Sequence, residues 1–247
     1  MRPPRLNPPA ARPAVVLVAH GSRDPRAAAS TEALARAVQH ARPEWEVRAS
    51  YLDHAGPRPL DVLTSLGARR AALVPLLLTA AYHGRVDLPA VIRAAESLPV
   101  SVTATDVLGP ASPLLLAAVC RRLPSATLDA VVLASAGTRD AAARDTVAGA
   151  AVALGARLGL PSAVAYASGP GPSAGEAVAA LQAAGARRIG MAAYFLAPGL
   201  LYDVAARTAT EAGAIAVAEP LGAAPELVRL VGDRAEAVLG ASLAAAA

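Results

Sequence analysis

The four histidines of the chain, His20, His40, His54 and His83, all fall in its first half, although the second half repeats the first almost block for block. VLVAHGSRD meets VLASAGTRD, so that Gly21, Ser22, Arg23 and Asp24 stand opposite Gly137, Thr138, Arg139 and Asp140, while His20 faces Ala136. GARRAALVPLLLTAAYH meets GARRIGMAAYFLAPGLL, which puts His83 opposite Leu201. The offsets, 116 from Gly21 to Gly137 and 118 from Leu78 to Leu196, mark a duplicated unit. The repeat serves as an internal control. Were imidazole needed at positions 20 and 83 for packing or capping, the second copy would need it too, yet it carries Ala136 and Leu201. His20 and His83 are therefore the leading functional candidates. His40, close to Arg42 and Pro43 at the end of a helical stretch, reads as a solvated or C-capping residue.

Two neutral imidazoles joined by a carboxylate suit a late first-row divalent ion such as Fe²⁺, Co²⁺, Ni²⁺ or Zn²⁺. An incomplete, exposed set differs from a structural zinc site, which closes a tetrahedron of four protein ligands, and fits a metal that must leave again. The same imidazoles could act as general bases near neutral pH, and the repeat does not separate the two roles. HGSR also places Ser22 near His20, but adjacent side chains on a loop seldom form a nucleophile–base pair, and Ser22 does not sit in a G-x-S-x-G. No G-x-x-x-x-G-K-[ST] occurs and the chain has no lysine with which to build one, so neither ATP nor an organic cofactor is expected.

The elements that must position these residues follow from periodicity. Short Val/Leu-rich runs alternate with Ala/Arg-rich segments of helical period, the pattern of βα units feeding a parallel sheet. Strands are expected near 14–19, 46–52, 71–78 and 100–105, and again near 130–135, 163–167, 188–195 and 214–218. Helices are expected near 26–41, 58–67, 86–97 and 111–123, then 140–158, 173–184, 203–212 and 224–240. The domains are then 13–124, carrying the histidines, and 125–247, the copy without them, joined at Pro124–Asp129 behind a disordered tail at 1–12. His20, Asp53, His54 and His83 all fall in loops that follow strands. Ligands of open parallel sheets bind at the carboxyl ends of the strands, so these four side chains should converge on one rim.

Composition narrows the partner. All 23 basic residues are arginine and the formal net charge is +4, which favours an anionic ligand met by guanidinium forks. The arginines are scattered without interleaved aromatics, against nucleic acid. Apolar runs at 71–82 and 189–202 are interrupted by Pro75 and Pro198 and fall short of about 18 residues, so no membrane span is expected. The apolar patch near the N-terminus is too short for a secretory signal, and a cytoplasmic location is expected. Cys120 is the single cysteine and sits at helical spacing among Leu116, Ala117 and Leu123, as a packed side chain would.

Three blocks, VVLVAHGSRDP at Val15–Pro25, VPLLLTAAYHGRVDLP at Val74–Pro89 and YFLAPGLLYD at Tyr194–Asp203, resemble the long, two-domain form of the class II sirohydrochlorin chelatases, the cobalt- and iron-chelatase family of cobalamin and sirohaem synthesis. The resemblance covers nearly the whole chain from about residue 14. It implies an α/β fold of two tandem repeats, each a four-stranded parallel sheet flanked by helices, facing one another across a cleft that receives the tetrapyrrole. The family's two metal-handling histidines map onto His20 and His83. Its acidic residue, commonly Glu, maps onto Asp53, one methylene shorter, and Ala81 replaces a frequent Gly.

The resemblance makes the divalent metal (Co²⁺, Fe²⁺ or Ni²⁺) and anionic sirohydrochlorin the two substrates. Arg23, Arg85 and Arg139, with Ser22, are the candidates for the macrocycle's carboxylates, a role that suits guanidinium chemistry. Asp87 either stabilises a helix N-terminus or orients His83, with His54 as a further supporting residue. Two fused copies supply a complete cleft without an oligomeric partner. The rivals to a chelatase are a non-catalytic metal or tetrapyrrole carrier of the same fold and a two-lobed small-molecule binding protein.

Overall fold

The structure, a computed structural model, describes the backbone of residues 12–79 and 87–244, and the side chains of all of these but 87 and 241–244. Most of the tail expected at 1–12 lies outside these residues. At its edge, the Arg12 guanidinium donates to the Trp45 carbonyl.

The first repeat runs β1 (Ala14–Ala19), α1 (Pro25–Ala41), β2 (Glu46–Tyr51), α2 (Pro59–Ser65), β3 (Arg70–Pro75), α3 (Asp87–Ala95), β4 (Ser101–Ala104) and α4 (Pro113–Arg122). The second runs β5 (Ala130–Ser135), α5 (Ala141–Leu158), β6 (Ser162–Tyr166), α6 (Ala174–Ala183), β7 (Ile189–Tyr194), α7 (Leu200–Glu211), β8 (Ala216–Val217) and α8 (Pro225–Ala244). Their strands form two four-stranded parallel sheets of the same order, β2-β1-β3-β4 and β6-β5-β7-β8.

Strand alternation decides the layering. Val15 and Leu17 of β1 join Val131 and Leu133 of β5 in one apolar core between the sheets, while Ala14, Val16 and Val18 face a second core with Val62 and Leu63 of α2. Ala130, Val132 and Ala134 of β5 likewise face a third core with Val178 of α6 and Ala205 of α7. Both central strands are thus covered on two faces, as parallel strands require.

The last helix of each repeat is exchanged. Helix α4 lies against β7 and α5 of the second repeat, and α8 lies against β3 and α1 of the first. Leu115, Ala118 and Val119 of α4 and Leu227, Val231 and Ala235 of α8 are buried in the shared core. Polar contacts fasten the exchange: Arg42–Glu236 at 2.9 Å, Arg121–Glu226 at 2.7 Å, and the Arg70 guanidinium donating to the Leu239 carbonyl at 3.1 Å.

Element boundaries agree with periodicity except at four places, one of them the end of α8, which runs to Ala244, four residues past its expected end. β3 ends at Pro75, because the Leu77 N–H turns back to the Pro75 carbonyl at 2.9 Å and lifts the chain off the sheet. β8 shortens to two residues. α7 starts at Leu200, three residues before its expected start, directly after Gly199.

Candidate active site

Each central strand delivers its loop to the rim in the same way. After β1, the Leu52 N–H donates to the Ala19 carbonyl at 2.9 Å and the Asp53 N–H to the His20 carbonyl at 2.8 Å, tying the two loops together. After β5, the Ala167 N–H donates to the Ser135 carbonyl at 2.9 Å and the Ser168 hydroxyl to the Ala136 carbonyl at 2.8 Å. Gly21 is required at this crossing: its φ is +95° and an added Cβ would lie 1.7 Å from the Asp53 carbonyl oxygen. Gly137 stands in the same relation to Ser168, at 1.9 Å and φ +88°. Tyr51 and Tyr166 close the pattern, donating their hydroxyls to the helix carbonyls of Ala28 and Arg144. Burial and the nearby Glu32 push the Tyr51 phenol up to about 12, so it remains a neutral donor.

On this common frame the chemistry differs between copies. His20, Asp53 and His54 come together in the first repeat. The imidazoles of His20 and His54 meet edge-on, with ring centroids 6.2 Å apart and planes at 84°. His54 Nε2 lies 3.5 Å from Asp53 Oδ2, and Arg58 Nη2 lies 3.8 Å from Asp53 Oδ1. The His54 backbone N–H donates to Asp53 Oδ1 at 2.8 Å. That hydrogen bond, reinforced by the positive potential of His54, Arg58 and His20, holds the Asp53 carboxyl below its ordinary pKa, against a smaller desolvation cost. In the second repeat the corresponding loops carry Ala136 and Ser168. Sequence reasoning had made His54 a supporting residue; the structure puts its ring directly against His20.

Ser22 behaves differently. Its hydroxyl accepts from the Asp24 N–H at 3.1 Å, as Thr138 accepts from the Asp140 N–H at 3.2 Å, so the interaction shapes the loop in both copies. Asp24 and Asp140 then cap α1 and α5, accepting from the Arg26 and Ala143 N–H groups. Arg23 and Arg139 are exposed on these loops. His83 and Arg85 lie outside the described residues; Asp87 is the first residue of α3, and its side chain lies outside them too. Among the described residues no three His, Cys, Asp or Glu side chains form a ready metal-holding group. His40 is exposed in the last turn of α1, and Cys120 is half-buried against the shared core.

An open cleft of about 720 Å³ lies between the repeats, with His20, Arg23, Asp24 and His54 on one side and Phe195, Leu200, Leu201 and Tyr202 on the other. Arg26 spans it, pairing at once with Asp24 at 2.5 Å and with Asp203 of the second repeat at 2.6 Å. This ion pair between repeats had no sequence signal. A smaller recess of about 270 Å³ continues from His20 and Gly21 toward Tyr51, Phe195 and Leu196, and a counterpart of about 200 Å³ runs from Ala136 and Gly137 toward Tyr166, Leu77 and Leu78.

The family model of CbiX matches residues 14–126 and again residues 130–238. The chain belongs to the CbiX family. Solved structures share the two-repeat CbiX architecture over nearly the full length. SirB from Bacillus subtilis with Fe³⁺ superposes with a TM-score of 0.73 at 21% identity, over 90% of this chain and 94% of that one. The SirB complex with cobalt from Bacillus subtilis subspecies spizizenii gives 0.73 at 20%, over 91% and 94%. The CbiX described as the terminal enzyme of sirohaem biosynthesis in denitrifying bacteria gives 0.62 at 21%, over 90% and 98%. At these identities the likeness is one of fold. A search of curated proteins finds no match.

Proposed function

We propose that this CbiX-family chain is a sirohydrochlorin chelatase, a lyase-class enzyme that inserts Co²⁺ or Fe²⁺ into the tetrapyrrole on the way to cobalamin or sirohaem. The observation that carries the reading is the one-sided cleft: two repeats share a backbone frame, yet only the first brings imidazoles and a carboxylate together at its rim. Metal insertion replaces two pyrrole N–H protons with one divalent cation. Of His20 and His83, one holds the incoming ion while the other accepts the pyrrole protons in turn and passes them to solvent; Asp53 supplies the anionic ligand, and His54 steadies Asp53 while facing His20. The lowered pKa of Asp53 favours its carboxylate form, the one that can serve as a ligand. Asp87, at the start of α3, orients His83 or stabilises that helix end.

Sirohydrochlorin carries eight carboxylates on a flat ring. Arg23 on the cleft wall and Arg139 on the equivalent loop of the second repeat, together with Arg85, are the bidentate partners for them, with the Ser22 hydroxyl beside Arg23. Among the described residues no helix is long and apolar enough to cross a membrane; the proposed place of action is the cytoplasm. The deciding experiment is steady-state absorbance with sirohydrochlorin and excess metal, Co²⁺, Fe²⁺ and Ni²⁺ side by side. Many turnovers per chain support the enzyme; a single stoichiometric burst would make it a carrier.

A further inference from the structure

The two walls of the cleft differ in chemistry as well as in ancestry. Leu200 is 75% exposed and Leu201 37% exposed, side by side on the second repeat's wall. Among the described residues the other open large apolar side chains are Val152 (69%) and Ile215 (49%), and neither lines this cleft. The placement of the leucines follows from α7. Its buried face is Tyr202, Ala205 and Ala209, at helical spacing, which puts Leu200 on the opposite side of the first turn and Leu201 on the edge of the buried stripe, where it stays 37% exposed. Packing therefore does not require leucine at either place, and an adjacent exposed pair facing a concave site marks a surface that a ligand covers.

The facing wall narrows what that ligand is. Across from the leucines stand His20, His54 and Arg23. An occupant must offer apolar area to one side, metal-accepting nitrogens to the other, and anionic groups at its edge. A planar macrocycle with carboxylates around its rim has this distribution. Resting on the chelatase reading above, we propose that Leu200 and Leu201 form an apolar platform for one face of the macrocycle, turning the opposite face toward His20 and His54. The second repeat is then the substrate-holding half, and metal enters from the first repeat's side. In the sequence match of the repeats, position 201 is the counterpart of His83.

The test is titration of metal-free sirohydrochlorin into the whole protein and into Leu200→Ser, Leu201→Ser and the double variant, followed by absorbance, with Val152→Ser as the control. Both leucines are outside the core, and thermal melting checks that the variants fold. The double variant should raise the macrocycle's Kd about tenfold or more, the scale set by the apolar area of two leucines. Co²⁺ affinity in the absence of macrocycle should not move, Val152→Ser should match the parent, and Leu200→Met with Leu201→Met should restore binding. A double variant that binds the macrocycle within about twofold of the parent overturns the platform and leaves the chelatase reading intact. A parent protein that binds no macrocycle overturns both.

Discussion

His54 holds a left-handed backbone, φ 58°, at the place where the second repeat has Gly169, φ 77°. The equivalence is set by hydrogen bonds on either side. The Tyr51 N–H donates to the Pro57 carbonyl as the Tyr166 N–H donates to the Pro172 carbonyl, so the loops between them match residue for residue. Glycine is the residue that the backbone prefers there, and the first repeat has an imidazole instead. His54→Gly should therefore leave stability unchanged or raise it by up to about 1 kcal/mol, while lowering chelation by about 10-fold to 100-fold. Urea denaturation and chelation rates on the same preparation check it; unchanged chelation would remove His54 from the site.

Replacing His20 or His83 with Ala should lower chelation about 10²-fold or more, the usual scale for a positioned acid–base group, with little loss of stability. His40→Ala should have almost no effect, since its side chain is exposed at a helix end. Because Ala136 and Leu201 cannot hold a metal, calorimetric titration should find one functional Co²⁺ per chain. Two equivalent sites would contradict the division of labour between the repeats.

Arg23, Arg85 and Arg139 would meet carboxylates at the edge of the macrocycle, away from the reacting nitrogens, so their contacts should be alike before and during insertion. Uniform binding of this kind affects KM more than kcat. Each Arg→Ala change should raise the KM for sirohydrochlorin several-fold, less so for a macrocycle with fewer carboxylates, and high salt should mimic the substitutions. A KM indifferent to salt and to all three changes would place the substrate elsewhere.

The clamp from Arg26 to Asp24 and Asp203 gives a pH dependence of definite sign. Hydrogen bonds from the Arg26 side chain, then from its backbone N–H, hold the Asp24 carboxyl below its ordinary value of 3.8. Its folded pKa lies below its unfolded one, so the stabilisation is fully present above the ordinary carboxylate range and is lost as pH falls through the depressed value. Thermal midpoints should show a full, pH-independent contribution from Asp24 between about pH 5 and 8 and a loss below about pH 4, shallower in Asp24→Asn. A clamp contribution that already changes between about pH 6 and 7 would point to another group.

Much of this was legible because the chain states its pattern twice. Matching VLVAHGSRD to VLASAGTRD located β1, β5 and the loops after them, and the mismatches at 20 and 83 are what the proposed chemistry rests on. The left-handed backbone at His54 was not legible, since an imidazole gives no sign of positive φ. Nor was the Arg26–Asp203 pair, which joins residues 177 positions apart through a contact that only the folded repeats create. The apolar faces of α4 and α8 announced burial without saying against which sheet.

That last ambiguity has a consequence for how the molecule holds together. Because α4 and α8 trade places, a cut in the 124–129 joint would free neither half: each would still be gripped by an arm belonging to the other. The linker is thus a convenience of inheritance more than a mechanical tie. Half-length chains with this pattern would have to embrace in pairs to bury the same surfaces, and the fused chain should melt in one cooperative step.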